Sequence, residues 1–420
     1  MRSFSVRFCR PDVDGYCQNH TLDGSFISVN YTIQSFDGSW QLTGPGVDSG
    51  YNQEGTGIIA FPQLNGSTSY TWTIDYHYAG NEPQFILARI YYYILLSRLP
   101  SILLNPAFVF HFLKTLTTFL FAYSNDFDSS DIAFMDTYFD RDETSTYAAY
   151  ANVRFDLKNE EPIEYHTTAS SMNQSVYNHL PNPKLGYGNS RGSNVLNIIQ
   201  RFLDNDQAPI CGSTLFIMVK RYPNENDVHD LITQLRNNHV FVYFSVNDTP
   251  SGGNNPRALF DLSMYTNGYC VFSRFTGDVA TYSTEVFYET YQIVAQNFVV
   301  SGSGRIELPL FKFPEPYPGE WQNFITWMIT IQSHVLDSDF ITLNYTFAST
   351  DGTSVLTGPD PNIDTISGLM GTGYSGWTEL NGTNEYKWTI DYKYAGNEPQ
   401  VIEVRLYNRN YQDFLPLPDY

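Results

Sequence analysis

Aromatic and polar residues alternate over residues 70–78, with Trp72, Ile74 and Tyr76 on one side of the pattern. A period of two predicts a half-buried β-strand. The same pattern returns near the other end of the chain, where 13 of the 15 residues in 70–84 recur in 386–400. A spacing of about 315 residues is far too long for a solenoid or propeller repeat, so the chain carries two copies of one module.

A turn sequence containing Gly, Asn and Pro follows each copy of this strand, and residues 401–406 then alternate again. Strand, turn and strand predict a β-hairpin. Across this hairpin Asp391 would pair with Arg405, and in the first copy Asp75 would pair with Arg89. Each module is therefore predicted to be an antiparallel β-sandwich.

The central region has continuous apolar runs, which predict buried strands, and helical spacing between some of them. The predicted strands are Phe119–Tyr123, Val153–Phe155, Ile163–Tyr165, Leu215–Val219, His239–Val246 and Tyr269–Phe275, and the predicted helices are 194–203, 225–238 and 256–266. Strands that alternate with helices indicate a doubly wound, mainly parallel sheet. The predicted fold class is therefore multidomain, with β-sandwich modules at 1–92 and 279–420 flanking an α/β domain at 117–278.

The segment between the first module and the α/β domain is apolar over residues 90–116. Arg98, Pro100 and Lys114 interrupt it, so it lacks the 18 uninterrupted apolar residues that indicate a membrane-spanning helix. Three interpretations of the insert 93–116 stay open: an apolar interdomain helix or linker, a membrane anchor, or retained intron or misjoined exon sequence. The third is motivated by the second copy, which continues with polar residues at the equivalent position.

The charge of the chain excludes one class of partner. Its net charge is −21, and its 23 Lys and Arg residues are scattered, whereas a nucleic-acid surface needs clustered cations. No nucleic-acid partner is expected.

Seven N-glycosylation sequons favour secretion, because two of them recur at equivalent positions of both modules. They are Asn19, Asn30, Asn65, Asn173, Asn247, Asn344 and Asn381. Residues 1–10 contain no apolar run of the kind found in a signal peptide, so we expect an incomplete start. The four cysteines fit an oxidising compartment, with Cys9–Cys17 and Cys211–Cys270 as the candidate disulfides and the connectivity left open.

Five segments carry a resemblance to known proteins: Phe119–Phe127, Tyr150–Phe155, Ile210–Pro223, Thr249–Gly253 and Ser301–Leu308. The α/β order with a buried first strand resembles the von Willebrand factor A domain. The segments together are similar to a nematode family of secreted, poorly characterised proteins that have an A-like domain and flanking β-sandwich modules. This resemblance implies no particular biochemical activity.

An A domain implies a metal-ion-dependent adhesion site, and this chain departs from its pattern. Tyr123 and Phe127 stand where the first and last ligands of the Asp-x-Ser-x-Ser motif would be, and Lys220 and Arg221 follow the strand that should end in Asp. Two cations oppose the binding of a divalent metal. Ser193 alone could replace the Thr ligand, so the site is predicted to be degenerate and no cofactor is expected.

A second set of oxygen ligands, Asp126, Asp128 and Ser130, follows the same strand. It is a candidate metal site, although capping of the next helix is the favoured interpretation. The candidate binding residues lie in strand-end loops: Tyr123, Asn125, Ser251 and Asn254.

No motif of a zinc protease, P-loop protein, serine hydrolase or dinucleotide-binding protein occurs in the chain. No catalytic residue is assigned and the protein is not expected to be an enzyme. The expected function is non-catalytic recognition or adhesion, with an extracellular protein or glycan as partner. The alternatives are a membrane-tethered surface protein anchored by 90–116 and a hydrolase acting on glycans.

Overall fold

The computed structural model divides into two compact units, Met1–Leu113 and Lys114–Tyr420, which are described separately. The residues that the structure describes are 2–9, 26–35, 41–44, 52–54, 57–60, 70–78, 85–92, 115–139, 147–188, 191–274, 287, 291–313, 322–359, 367–408, 414–418 and 420.

The described part of the first unit consists of antiparallel strands. They are β1 (Arg2–Cys9), β2 (Phe26–Ser35), β3 (Gln41–Gly44), β4 (Asn52–Glu54), β5 (Gly57–Ala60), β6 (Tyr70–Tyr78) and β7 (Phe85–Tyr92). One sheet has the order β4-β5-β1-β7 and the other the order β3-β2-β6. Thr73, Asp75 and His77 of β6 are exposed, as predicted for the polar face of this strand.

The second unit begins with an α/β domain. Its strands are β8 (Thr115–Ser124), β9 (Tyr147–Phe155), β10 (Glu164–His166), β11 (Thr214–Val219), β12 (Phe241–Asn247) and β13 (Tyr269–Ser273), and its helices are α1 (Ser129–Phe139), α2 (Ala169–Asn178), α3 (Val195–Leu203), α4 (His229–Asn237) and α5 (Arg257–Met264). The sheet order is β10-β9-β8-β11-β12-β13. All pairs are parallel except β9 with β10, so the mixed α/β class with a mainly parallel sheet is confirmed.

The continuous apolar run of β8 has a simple cause, because helices cover both faces of the sheet. Leu120 and Ala122 join a core shared with α3, α4 and α5. Phe119, Phe121 and Tyr123 join a second core shared with α1 and α2. A strand that is buried on both faces has no need of polar positions.

The remainder of the second unit contains the second copy of the module. Its strands are β14 (Tyr291–Val300), β15 (Ser303–Glu307), β16 (Phe311–Lys312), β17 (Gln322–Thr330), β18 (Phe340–Ser349), β19 (Val355–Gly358), β20 (Ser367–Met370), β21 (Gly373–Asn381), β22 (Glu385–Tyr394) and β23 (Gln400–Asn408). They form two antiparallel sheets, β14-β23-β17-β21-β20 and β15-β22-β18-β19, with β16 paired to β22. Side chains of both sheets, including Trp327 and Trp388, share one core.

The predicted hairpin is wrong in both copies. β22 pairs with β15 and β18, whereas β23 pairs with β14 and β17 of the other sheet. β6 and β7 of the first unit also belong to different sheets. In the second copy both strands contribute to one core, so the turn between them carries the chain from one sheet to the other. Asp391 therefore does not pair with Arg405; it accepts from Arg305 Nε and Nη2 at 2.7 and 2.8 Å.

The second copy covers the outer edge of the parallel sheet at β13. Glu403 Oε2 accepts a hydrogen bond from the backbone N–H of Cys270 at 3.2 Å. Thr372 Oγ1 accepts from Phe272 N at 2.9 Å, and Thr372 N donates to Phe272 O at 2.9 Å. The unpaired backbone N–H and C=O groups of an edge strand can pair with other chains. These contacts give backbone groups of β13 hydrogen-bond partners, and they join the α/β domain to the second copy.

Two charged side chains are fully buried where the second copy meets the α/β domain. Arg405 Nε donates to the carbonyl oxygens of Asn267 and Gly268 at 3.0 and 2.7 Å, and its Nη2 lies 3.6 Å from Glu403 Oε1. Burial raises the pKa of Glu403 to about 7. Leu87 stands at the position of Glu403 in the first copy, so only the second copy carries this carboxylate.

The predicted disulfide between Cys211 and Cys270 is wrong, because both thiols are free. Cys270 lies in β13 and Cys211 just before β11, with β12 between them. Strands two places apart are separated by about 9.6 Å, which exceeds the Cα separation that a disulfide can span. The other candidate, Cys9–Cys17, lies outside the described residues because Cys17 is not among them.

Two of the predicted glycosylation sites are buried. Asn173 is 5% exposed and Asn247 is 8% exposed, so neither can carry a glycan in the folded protein. Asn30, Asn344 and Asn381 are exposed and stay predicted sites. The other two, Asn19 and Asn65, lie outside the described residues.

None of the described helices is long and apolar enough to cross a membrane. The insert at 93–116 lies outside the described residues except for residues 115 and 116, which belong to β8.

Candidate functional site

Loops at the carboxyl ends of the parallel strands meet at one edge of the sheet, the edge at which open α/β sheets bind their ligands. Polar side chains from loops that follow β8, β9, β11 and β12, together with Ser193 just before α3, come together here. The strand-end cluster consists of Ser124, Asp126, Asp156, Ser193, Arg221 and Ser251.

Arg221 is the central cation of the cluster and is 1% exposed. Its Nε and Nη2 both lie 2.8 Å from Asp126 Oδ2. Its Nη1 donates to the backbone carbonyls of Gly188 and Arg191 at 3.1 and 2.6 Å. The guanidinium thus contacts one carboxylate and two backbone carbonyls, and it holds the loop before α3 against the loop after β8.

The same carboxylate oxygen of Asp126 also accepts a hydrogen bond from the hydroxyl of Ser251. Ser251 is placed by its backbone N–H, which donates to Lys220 O at 2.9 Å. Gly253 allows this approach: its φ is +74°, and a Cβ there would lie 1.7 Å from Tyr222 O. The loop Thr249–Gly253 therefore closes over the ion pair from the side of β12.

A second carboxylate, Asp156, is fully buried beneath this ion pair. It accepts from Ser124 Oγ at 2.6 Å, from Ser193 Oγ at 2.8 Å and from Asn194 N at 3.1 Å. Burial raises the pKa of Asp156 to about 6, against the lowering effect of the serine hydrogen bonds. Because Asn194 directly precedes α3, the carboxylate also lies at the positive end of that helix dipole.

Two of the predicted binding residues shape the loops instead of facing solvent. Tyr123 is buried and its hydroxyl donates to His179 O at 3.0 Å. Asn125 is buried and exchanges two hydrogen bonds with the backbone of Asn182, at 3.0 and 2.8 Å. Of the other two, Ser251 is half-buried and Asn254 is exposed.

The structure does not bring the predicted metal ligands together. Asp126 faces the cluster, but its carboxylate is occupied by Arg221. Asp128 and Ser130 are exposed at the start of α1. Among the residues that the structure describes, no group of three or more His, Cys, Asp and Glu side chains is arranged to hold a metal ion.

Asp156 was not among the predicted site residues, although the sequence contains a signal for it. Asp156 directly follows the buried strand β9, so it stands at the carboxyl end of a parallel strand like Asp126. Ser193, the predicted substitute for a Thr ligand, does lie in the cluster, where it donates to Asp156. The cluster is therefore a connected set of three serine hydroxyls, two carboxylates and one guanidinium.

The fold and the cluster define a mixed α/β domain joined to antiparallel sheets. A family model described as a domain of unknown function (DUF7154) matches residues 13–93 and 296–409. These stretches fall within the two copies of the repeated module, and the α/β domain lies between them. No curated protein matches the chain.

Two solved structures are similar to this chain over much of its length. A von Willebrand factor type A protein from Catenulispora acidiphila has 10% identity and a TM-score of 0.31, covering 69% of this chain and 62% of that one. The human COPII-coat protein Sec24c also has 10% identity and a TM-score of 0.31, covering 70% of this chain and 43% of that one. The chain thus spans less than two thirds of either protein.

Proposed function

We propose that this protein is a non-catalytic recognition protein that binds an extracellular protein or glycan without a metal ion. In this proposal the α/β domain is a von Willebrand factor A-like domain in which Arg221 takes the place of the cation at the strand-end edge. The observation that carries the proposal is the ion pair between Arg221 and Asp126, with both guanidinium–carboxylate contacts at 2.8 Å.

The physical reason is the cost of displacing a buried guanidinium. A divalent ion at Asp126 would push Arg221 away from its carboxylate and from the carbonyls of Gly188 and Arg191. A buried cation that loses its partner costs roughly 3–5 kcal/mol. Arginine supplies a permanent positive charge in a fixed geometry, so it keeps these loops in place without a metal.

The surface offered to a partner is the rim around the buried pair. Asn254 is exposed in the loop after β12, and Lys220 is half-exposed with its Nζ 5.7 Å from the ring centre of Phe127. Side chains of this kind recognise a partner by hydrogen bonds and charge, whereas the buried members of the cluster hold the rim in shape.

The proposal includes secretion and takes the flanking modules as β-sandwiches. Exposed sequons at Asn30, Asn344 and Asn381 support secretion. A nematode host is part of the resemblance and is proposed on that ground alone.

The test is a binding screen with the full chain produced in a secreting eukaryotic cell. A glycan array and a panel of purified extracellular-matrix proteins are probed in buffer with Mg²⁺ and in buffer with EDTA. We expect saturable binding to at least one ligand, equal Kd values in the two buffers, and a Kd raised at least tenfold by the double substitution Lys220→Ala and Asn254→Ala.

Three outcomes contradict the proposal. Binding that is lost in EDTA would show that a metal is needed. Hydrolysis of a glycan on the array would favour the hydrolase alternative. Retention of the native protein in membranes after carbonate extraction would favour a membrane-tethered protein.

A further inference from the structure

A segment outside the sheets and helices lies along the α/β domain, in a groove lined by α4, the end of α5 and the segments that lead into β11 and β12. We call it the strap, and it consists of Phe414–Pro418 and Tyr420. Its sequence places two prolines between two aromatic residues. The groove differs from the strand-end cluster in its side chains. It is lined by aromatic rings, imidazoles and one arginine.

Phe414 anchors one end of the strap. Its ring stacks on the imidazole of His239, with ring centres 4.8 Å apart and an angle of 7° between the planes, and it lies 5.8 Å from the ring of Phe241. Gly212 leaves room for this ring, since a Cβ there would approach it to 2.9 Å. The site is therefore shaped to accept a flat ring at this position.

Tyr420 anchors the other end. Its ring stacks on His229 at 4.8 Å and meets Tyr265 edge-on at 4.6 Å. The guanidinium of Arg236 lies 5.8 Å from the same ring centre. Contacts of an aromatic ring with a cation and with other rings are favourable, so together they hold the Tyr420 ring in place.

Side chains of the α/β domain hold the strap backbone between its two anchors. Asn267 Nδ2 donates to Pro416 O at 3.0 Å, and Arg236 Nη1 donates to Pro418 O at 2.8 Å. Arg236 Nη1 also donates to Tyr265 O at 2.8 Å, so one guanidinium joins α4, α5 and the strap. Proline-containing segments are already extended before they bind, which reduces the entropy lost on docking.

The anchors of the strap are only partly covered. Phe414 and Tyr420 are each 48% exposed, whereas the aromatic side chains of the domain core are fully buried. A segment held by half-exposed rings and a few hydrogen bonds can leave its groove without opening the core.

We infer that this groove is a recognition site for extended, proline-containing peptide segments with an aromatic side chain at each end. The strap occupies the site in cis, and a partner segment of the same chemistry displaces it. This site goes beyond the proposed function, because it uses none of the residues at the strand-end edge.

The strap competes with any partner segment for the groove, so a partner must bind tightly enough to displace it. A segment of the same chain competes with a free peptide at a high effective concentration. A free peptide with the strap sequence should therefore bind the intact protein poorly. It should bind well once the strap anchors are removed.

The test uses the full chain and a fluorescent, end-capped peptide, Phe-Leu-Pro-Leu-Pro-Asp-Tyr, followed by fluorescence anisotropy. The double variant Phe414→Ala and Tyr420→Ala is expected to bind this peptide at least tenfold more tightly than the unsubstituted chain. The matched control is Phe134→Ala with Tyr177→Ala, which removes one Phe and one Tyr of similar exposure from elsewhere on the domain and should bind like the unsubstituted chain.

Two further arms identify the groove and the peptide chemistry. Adding Arg236→Ala to the strap variant should lower its affinity for the peptide at least tenfold while its near-UV circular dichroism is kept. A peptide with Ala at both aromatic positions should not bind.

Three results would overturn the inference. The first is equal peptide affinity for the strap variant and the unsubstituted chain. The second is loss of the near-UV signal in the strap variant but not in the control, which would make the strap an integral part of the fold. The third is a dimer of the unsubstituted chain in light scattering that the strap substitutions dissociate, which would assign the groove to a second copy of the chain.

Discussion

Arg221 is the residue on which the strand-end edge depends. Its guanidinium joins Asp126 to the carbonyls of Gly188 and Arg191 while almost no part of it reaches solvent. This buried cation connects three loops at once, and removing it leaves the Asp126 carboxylate without its cation and two carbonyls without this donor.

Substitution Arg221→Ala should lower the free energy of unfolding by roughly 3–5 kcal/mol, because it breaks a buried ion pair and leaves Asp126 uncompensated. Urea unfolding followed by circular dichroism measures this. The matched control is Arg274→Ala, since Arg274 is exposed and lies 3.9 Å from Asp248; its cost should be within about 0.5 kcal/mol. Equal costs for the two variants would contradict the assigned role of Arg221.

The role of a single residue could be predicted only where that role depends on the residue's position next to a strand in the sequence. Lys220 and Arg221 follow a predicted buried strand, so a positive charge at the strand-end edge could be foreseen. The partners of Asp156 could not, because Ser193 lies 37 residues away and reaches Asp156 through the tertiary fold. Asn125 was assigned to the correct loop, whereas Tyr123 lies within β8, and both side chains are buried.

Strand β13 makes the contact that joins the α/β domain to the second module. Its backbone pairs with Thr372, and the turn next to Thr372 packs directly on it. At Gly371 φ is +63°, and a Cβ would lie 1.9 Å from Phe272 O. The contact is therefore made by two backbones with no room for a side chain.

Substitution Gly371→Ala should destabilise the second unit by roughly 3 kcal/mol or more, through the clash and the strained φ together. Gly352→Ala is the matched control, because Gly352 has a φ of +72° with no atom within 4 Å of the added Cβ. It should cost only about 1 kcal/mol. The comparison is made by chemical unfolding of both variants, and a similar loss in the two would remove the close approach as the cause.

The pattern of hydrophobic residues predicted the positions of strands and helices better than it predicted which strands pair with each other. The period of two identified β22 and the face that it buries, since Trp388 and Ile390 are core residues. It carried no information on which strand lies beside it, so the predicted hairpin was wrong. Helix α2 escaped prediction because its buried positions include Asn173 and Ser175 alongside Ala169, Met172 and Val176.

The buried charges of Glu403 and Arg405 link the two parts of the second unit, the α/β domain and the second module. Both side chains lie where the second module meets the α/β domain, and Glu403 has a pKa raised to about 7 by burial. A carboxyl group whose pKa is higher in the folded state than its ordinary value of 4.5 stabilises the fold most below that ordinary value. This contribution is lost as the pH rises through 7.

The free energy of unfolding should therefore fall between pH 5 and pH 7 relative to the variant Glu403→Gln, by up to about 1.4 kcal/mol per pH unit. The variant keeps an oxygen to accept from Cys270 N and has no charge to lose. Asp156 titrates in both proteins, so the difference isolates Glu403. Urea unfolding at pH 5, 6, 7 and 8 gives the two curves, and parallel curves would show that Glu403 is not the titrating group.

In the proposed function, Arg221 takes the place of a metal cation at the strand-end edge. An anomalous difference map from crystals of the full chain, grown with Mn²⁺ in excess, tests this directly. We expect no anomalous peak at Asp126 and a guanidinium of Arg221 within hydrogen-bonding distance of that carboxylate. A manganese peak coordinated by Asp126, with Arg221 turned away, would contradict it.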